Sequence, residues 1–228
     1  MTKDAAGGPK AGPSGPAGPA AAVPPMRSHA RANRARILAV ARRELSANPE
    51  ATIDEIARAA GVVRRTLYAH FPGRLALLEA IADEAAAAIR AAITAATVPG
   101  DSPAQALARH TIELWQVGDR YRTLLALGYK SLRDGWFEDL SEPAMRNCAK
   151  ILRQGQAGHV FADHLPPEVL AAGVGGLLLE LLQSVNKGLW QDTGPGAAVA
   201  VLVGVGVALP RARETVASIS GQAPASGP

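Results

Sequence analysis

Between Thr52 and Phe71 the chain has room for two short helices and one tight turn, and for little else. Thr52 and Glu55 stand in the Thr-x-x-Glu spacing of a capping box, which starts a helix over roughly 53–59. Ile53, Ile56, Ala57 and Ala60 make its apolar face. Gly61 follows, where a left-handed residue closes a helix without a Cβ clash. The next helix, roughly 63–71, turns Leu67 and Phe71 inward and leaves Arg64, Arg65, Tyr68 and His70 on other faces. Two short helices joined in this way are a helix-turn-helix. A helix of that size is about 14 Å long, near the width of a B-DNA major groove. Its outer guanidinium groups can bond guanine O6/N7 bidentately or clamp phosphates.

The charge is concentrated on the same segment. Residues 27–74 hold ten Arg against four carboxylates, a net +6, whereas residues 75–228 hold 12 bases and 15 acids, a net −3. A short basic block on a mildly acidic remainder is the footprint of polyanion binding.

Around this core the chain reads as all-α. Residues 1–28, with six Pro and five Gly, cannot bury enough apolar surface to offset ordering entropy and are expected to form a disordered tail, as are 221–228. Helices are expected over about 29–47, 74–96, 103–118 (capped by Ser102 and Gln105), 120–133 (capped by Asp119), 142–156 (capped by Ser141) and 167–187. The alternating Val199, Val201, Val203, Val205 and Val207 have a strand-like period, but no second strand exists to pair with them. They are assigned to a ninth helix that kinks or ends at Pro210.

Several functions are disfavoured. The single Cys148 excludes an internal disulfide and lies on an apolar face, as an inert core thiol would. His159 and His164 flank Asp163 without metal-ligand spacing, so no metal site is assigned. No nucleophile–base pair or phosphate-loop signature is present, so no enzyme activity and no cofactor are expected. The longest uncharged apolar run, 196–209, is 14 residues, too short for a bilayer, and the N-terminus lacks an apolar signal region. A soluble cytoplasmic protein is expected.

Residues 52–71, ending Arg-Arg-Thr-Leu-Tyr-Ala-His-Phe and followed by Pro72-Gly-Arg-Leu-Ala-Leu-Leu78, resemble the DNA-binding domain of the TetR family of bacterial transcriptional regulators. The resemblance implies a three-helix DNA-binding domain over 29–74 and a helical effector-binding and dimerisation domain over 75–220, about nine helices in all. It places Arg64, Arg65 and Thr66 against bases, and Tyr68, His70, Arg74 and Thr52 against phosphates. Two positions depart from the family pattern. Val63 stands where Ser usually caps the third helix, a loss of about 1 kcal/mol, and Arg65 stands where a small residue is common.

One such helix reads only a few base pairs, so two copies about 34 Å apart on a palindrome are needed for discrimination. Leu170, Val174, Leu177, Leu181 and Val185 form one stripe on the eighth helix, and Leu178 and Leu182 form another. With the last apolar helix they suggest a homodimer interface at Leu178, Leu182, Val185, Val199, Val203 and Val207. The family resemblance also implies a small-molecule pocket, with Trp115, Tyr129 and Trp136 as candidate walls. The low charge of these helices favours an apolar or aromatic effector. The function expected is a repressor that binds a double-stranded DNA operator and is released by that effector. The competing reading is a ligand-binding or adaptor protein that keeps the fold without specific DNA recognition.

Overall fold

A computed structural model describes residues 25–122 and 135–221, and among them the chain forms α-helices and no strand. The helices are α1 (Pro25–Ala47), α2 (Ile53–Ala59), α3 (Arg64–His70), α4 (Arg74–Ala95), α5 (Pro103–Arg120), α6 (Trp136–Ala157), α7 (Pro167–Asn186), α8 (Pro195–Gly204) and α9 (Leu209–Ser220). Tyr129, most of the helix expected over 120–133 and most of both expected tails lie outside the described residues.

The first four helices share a core in which Ile37, Leu38, Ile56, Leu67, Phe71, Leu77 and Leu78 are fully buried. Tyr121, just after α5, and Trp136 and Leu140, at the start of α6, join that core, so the head is not sealed off from the body. In the body α5 is the hub, touching α4, α6, α7, α8 and α9. A second core of Leu107, Ala108, Leu152, Ala198, Val201, Leu202 and Ala212 surrounds it. The 22 residues of α4 bury Leu77, Leu78 and Ile81 in the head core and pack along α5 and α6.

Four boundaries differ from the expectation. Helix α1 begins at Pro25, four positions before the expected start. Asp119 lies inside α5 rather than capping a new helix. Ser141 does not cap α6, which starts five residues before it at Trp136, behind a left-handed Gly135, and carries Pro143 in its interior. A helix-interior Pro costs about 3 kcal/mol, but the early start buries Trp136 and Leu140, each worth about 2 kcal/mol. The valine-rich helix stops at Gly204, not at Pro210. Gly206 takes φ +99, and Val207 N–H donates back to the Leu202 carbonyl at 2.9 Å, which is a glycine-closed helix end. The turn buries both Val205 and Val207, and Pro210 instead opens α9 in its first turn.

Helix α7 is, among the described residues, the one helix long and apolar enough to cross a membrane, a feature that the run at 196–209 did not reveal. Its Leu170, Ala171, Val174 and Leu182 are buried in the protein core, while Leu177, Leu178, Leu181 and Val185 are only partly covered.

One packing contact in α6 is tight enough to test. A Cβ added at Gly155 would clash with Cδ2 of the buried Phe161, overlapping the edge of its ring. Ala is favoured over Gly in helices by about 1 kcal/mol, but overpacking costs about 1–3 kcal/mol. Gly155→Ala is therefore expected to lower the unfolding free energy by about 1 kcal/mol in urea titration. An unchanged or raised midpoint would show that Phe161 steps aside freely.

Candidate nucleic-acid interface

The α2–turn–α3 unit is built by local rules. Thr52 Oγ1 accepts from the Glu55 backbone N–H at 3.2 Å, and the Glu55 carboxylate accepts from the Thr52 N–H at 2.7 Å, closing the capping box. The Thr52 backbone and hydroxyl hold the Glu55 carboxyl below its ordinary value. Gly61 takes φ +64. The Gly61 N–H donates to Arg58 O and the Val62 N–H to Ala57 O, both at 3.0 Å, which satisfies carbonyls that the end of α2 would otherwise leave open. Any residue with a Cβ at Gly61 would strain this turn.

Helix α3 starts at Arg64 and has seven residues, shorter than the nine expected, and so spans about 10 Å. Val63 occupies the N-cap with no side-chain hydrogen bond, as its chemistry requires. Leu67 anchors the helix from below, with Phe71 beyond its end. Arg64, Arg65 and Tyr68 are exposed on one outer surface, with Thr66 and His70 half-buried beside them.

Arg64 is held in place. Its Nη1 donates to Asp54 Oδ2 at 2.8 Å, its Nη2 reaches the Tyr68 hydroxyl at 3.4 Å, and its guanidinium carbon lies 5.3 Å from the Tyr68 ring centre. The Tyr68 hydroxyl, then the Asp54 carboxylate, raise its pKa above the ordinary value. Arg65 has no carboxylate partner among the described residues.

Two of the phosphate candidates are already engaged. Arg74 donates from both terminal nitrogens to the carbonyls of Ala51 and Pro49, clamping the loop that precedes α2. The Thr52 hydroxyl donates to Glu55 Oε2 at 2.9 Å. Both side chains therefore shape the unit, while Arg64, Arg65, Tyr68 and His70 line its free surface.

Two neighbours escaped the sequence reading. Asp54 pairs with a residue ten positions away, a separation that no single-helix periodicity reveals. Arg34, on α1, stacks its guanidinium 5.1 Å from the Phe71 ring centre and so brings a cation to the end of α3. The dense Arg block signalled such a cation without locating it.

The candidate effector and interface residues fare unevenly. Trp115 is buried, donates Nε1–H to Asp192 O at 3.1 Å and sits edge-on to Trp190 at 5.7 Å. Trp136 is buried beside a small recess of about 210 Å³ rimmed by Glu79, Asp83 and Asp139. Of the interface candidates, Leu182 and Val207 are covered by their own chain, because Leu182 packs on Trp115 and Val207 closes the α8 turn. Leu178, Val185 and Val199 stay half-exposed, and Val203 is 42% exposed.

Residues 37–81 match the family model for bacterial regulatory proteins of the tetR family. Comparison with curated proteins finds no match. Among solved structures, the chain is similar to a TetR-family transcriptional regulator from a Rhodococcus species, at 21% identity and a TM-score of 0.65, covering 78% of this chain and 99% of that one. It is also similar to PfmR, a TetR-family regulator from Thermus thermophilus, at 20% identity and a TM-score of 0.65 over 75% of this chain and 98% of that one. RolR, solved in complex with its ligand resorcinol, matches at 22% identity and a TM-score of 0.51, over 83% of this chain and 95% of that one. These similarities establish a shared fold.

Proposed function

Residues 37–81 match the model of the tetR family of bacterial regulatory proteins, and from that premise we propose that the chain is a ligand-responsive repressor that grips a palindromic operator as a homodimer. The observation that carries this reading is the exposed pair Arg64 and Arg65 on a short helix held from behind by Leu67. In this reading Arg64, Arg65 and Thr66 meet base edges, and Tyr68 and His70 meet phosphates. Thr52 and Arg74 hold the cap and loop of the unit in shape for that contact.

The uncovered faces of α7 and α8 support dimerisation. Leu178, Val185, Val199 and Val203 leave apolar surface that a second copy would bury, with a two-fold setting the spacing of the two α3 helices. That RolR is known in complex with resorcinol supports a small-molecule effector on this fold. The protein would act in the cytoplasm, where its operator lies.

Selection of binding sites from random duplexes tests the proposal. The expected result is a palindrome bound at least ~10³-fold more tightly than random sequence, with log K falling steeply against log salt, by a particle of dimer mass in light scattering. A monomer that binds every duplex equally would overturn it.

A further inference from the structure

A groove of about 830 Å³ opens between α4, α6 and α7, a volume in the range that small-molecule sites occupy. Arg146, Lys150 and Arg153 recur on one face of α6, and Arg90 faces them from the end of α4. Glu142 pairs with Arg146, and Glu168 with Arg153. Arg90 and Lys150 have no carboxylate partner among the described residues. The groove therefore carries an excess of two positive charges within a region, residues 75–228, that is otherwise net negative.

Its interior is of a different character. Ala149 and Ala171 are buried and Met145 half-buried, giving an apolar floor beneath the cationic rim. Asn147, also in the lining, is fixed from behind, with its Nδ2 3.1 Å from Nδ1 of the buried His110. A concave site with an apolar bed, one anchored carboxamide and two uncompensated cations is complementary to a molecule with a negative head and an apolar body.

We propose that this groove binds an amphipathic organic carboxylate, its head bridging Arg90 and Lys150 and its apolar body lying over Met145, Ala149 and Ala171. This departs from the Trp-walled pocket expected from sequence, although it keeps the apolar body of that effector. Such a ligand would tie the end of α4 to α6. Binding in the groove does not rest on the repressor reading.

The test is isothermal titration of the full-length protein, without DNA, with octanoate and with its neutral counterpart 1-octanol. Octanoate is expected to bind at least about tenfold more tightly than octanol, and the double variant Arg90→Ala, Lys150→Ala to lose about tenfold or more of octanoate affinity. Both side chains are exposed, so the variant should keep its circular dichroism spectrum. Equal binding of acid and alcohol, an unchanged affinity in the double variant, or no octanoate binding at about 1 mM would each overturn the assignment. With DNA absent, none of these outcomes bears on operator recognition. A groove that binds octanoate in a chain that ignores DNA would sink the repressor reading alone.

Discussion

Replacing Arg64 and Arg65 together by alanine is expected to lower affinity for the selected operator by roughly 10²–10⁴-fold, with thermal stability nearly unchanged. A bidentate guanidinium–guanine contact is worth about 1–3 kcal/mol of discrimination, and α3 presents two guanidinium groups on a helix of seven residues. Both side chains are exposed in the free protein, so their removal opens no cavity. Affinity for random duplex should fall much less, by the electrostatic share of two cations, with the salt slope shrinking by about one unit for each phosphate no longer neutralised. His70→Ala should instead weaken operator and random DNA by similar factors. Fluorescence anisotropy on both duplexes separates these patterns, and equal losses on the two duplexes for the Arg variant would refute base reading by α3.

Asp54 sharpens this expectation. Its carboxylate holds Arg64 at 2.8 Å, which fixes the guanidinium over Tyr68 but also places a negative charge at the surface that, in the repressor reading, approaches phosphate. Asp54→Asn removes the repulsion and loosens Arg64, so random-duplex affinity should rise while the ratio of operator to random binding falls.

The legible and illegible parts of this molecule divide by the range of the interactions that decide them. The bounds of α2, the left-handed Gly61 and both capping boxes follow from groups within five residues of one another, and a sequence displays such groups side by side. The start of α6 does not follow from local groups. Ser141 and Pro143 look like a helix opening, and only the burial of Trp136 and Leu140 against the head core carries the helix back to residue 136. The break in the valine run hinges on Gly206 as a helix stop, and its role follows only once Val205 and Val207 are both known to point inward. At the site, α3 and its arginines were visible from spacing alone, whereas the engagement of Arg74 with Pro49 and Ala51 spans more than twenty residues and was not. Trp115 is the same case, since its partner Asp192 is 77 positions away.

Acidification from pH 6.5 towards 4 is expected to destabilise the protein through His110, at the centre of the body. The ring is 2% exposed, its Nδ1 lies 3.1 Å from Asn147 Nδ2, and the Ala144 carbonyl also holds it. Burial pushes its pKa down from 6.5 to about 4, against a smaller opposing effect of the Ala144 carbonyl. Between those two values the unfolded chain binds a proton that the folded chain refuses, so unfolding gains free energy from each drop in pH. Stability is then fully present above pH 6.5 and is lost progressively down to about pH 4, by about 3 kcal/mol in all. Carboxylates titrate in the lower part of the same window, so the measurement is a comparison with His110→Gln, a neutral side chain that can still meet Asn147. Urea titrations at pH 7, 6, 5 and about 4.5 should show the native protein losing stability faster than the variant, with the gap closing as the pH falls. Parallel curves would mean that His110 is protonated inside the folded protein, and the donor–acceptor contact with Asn147 would then have to reverse.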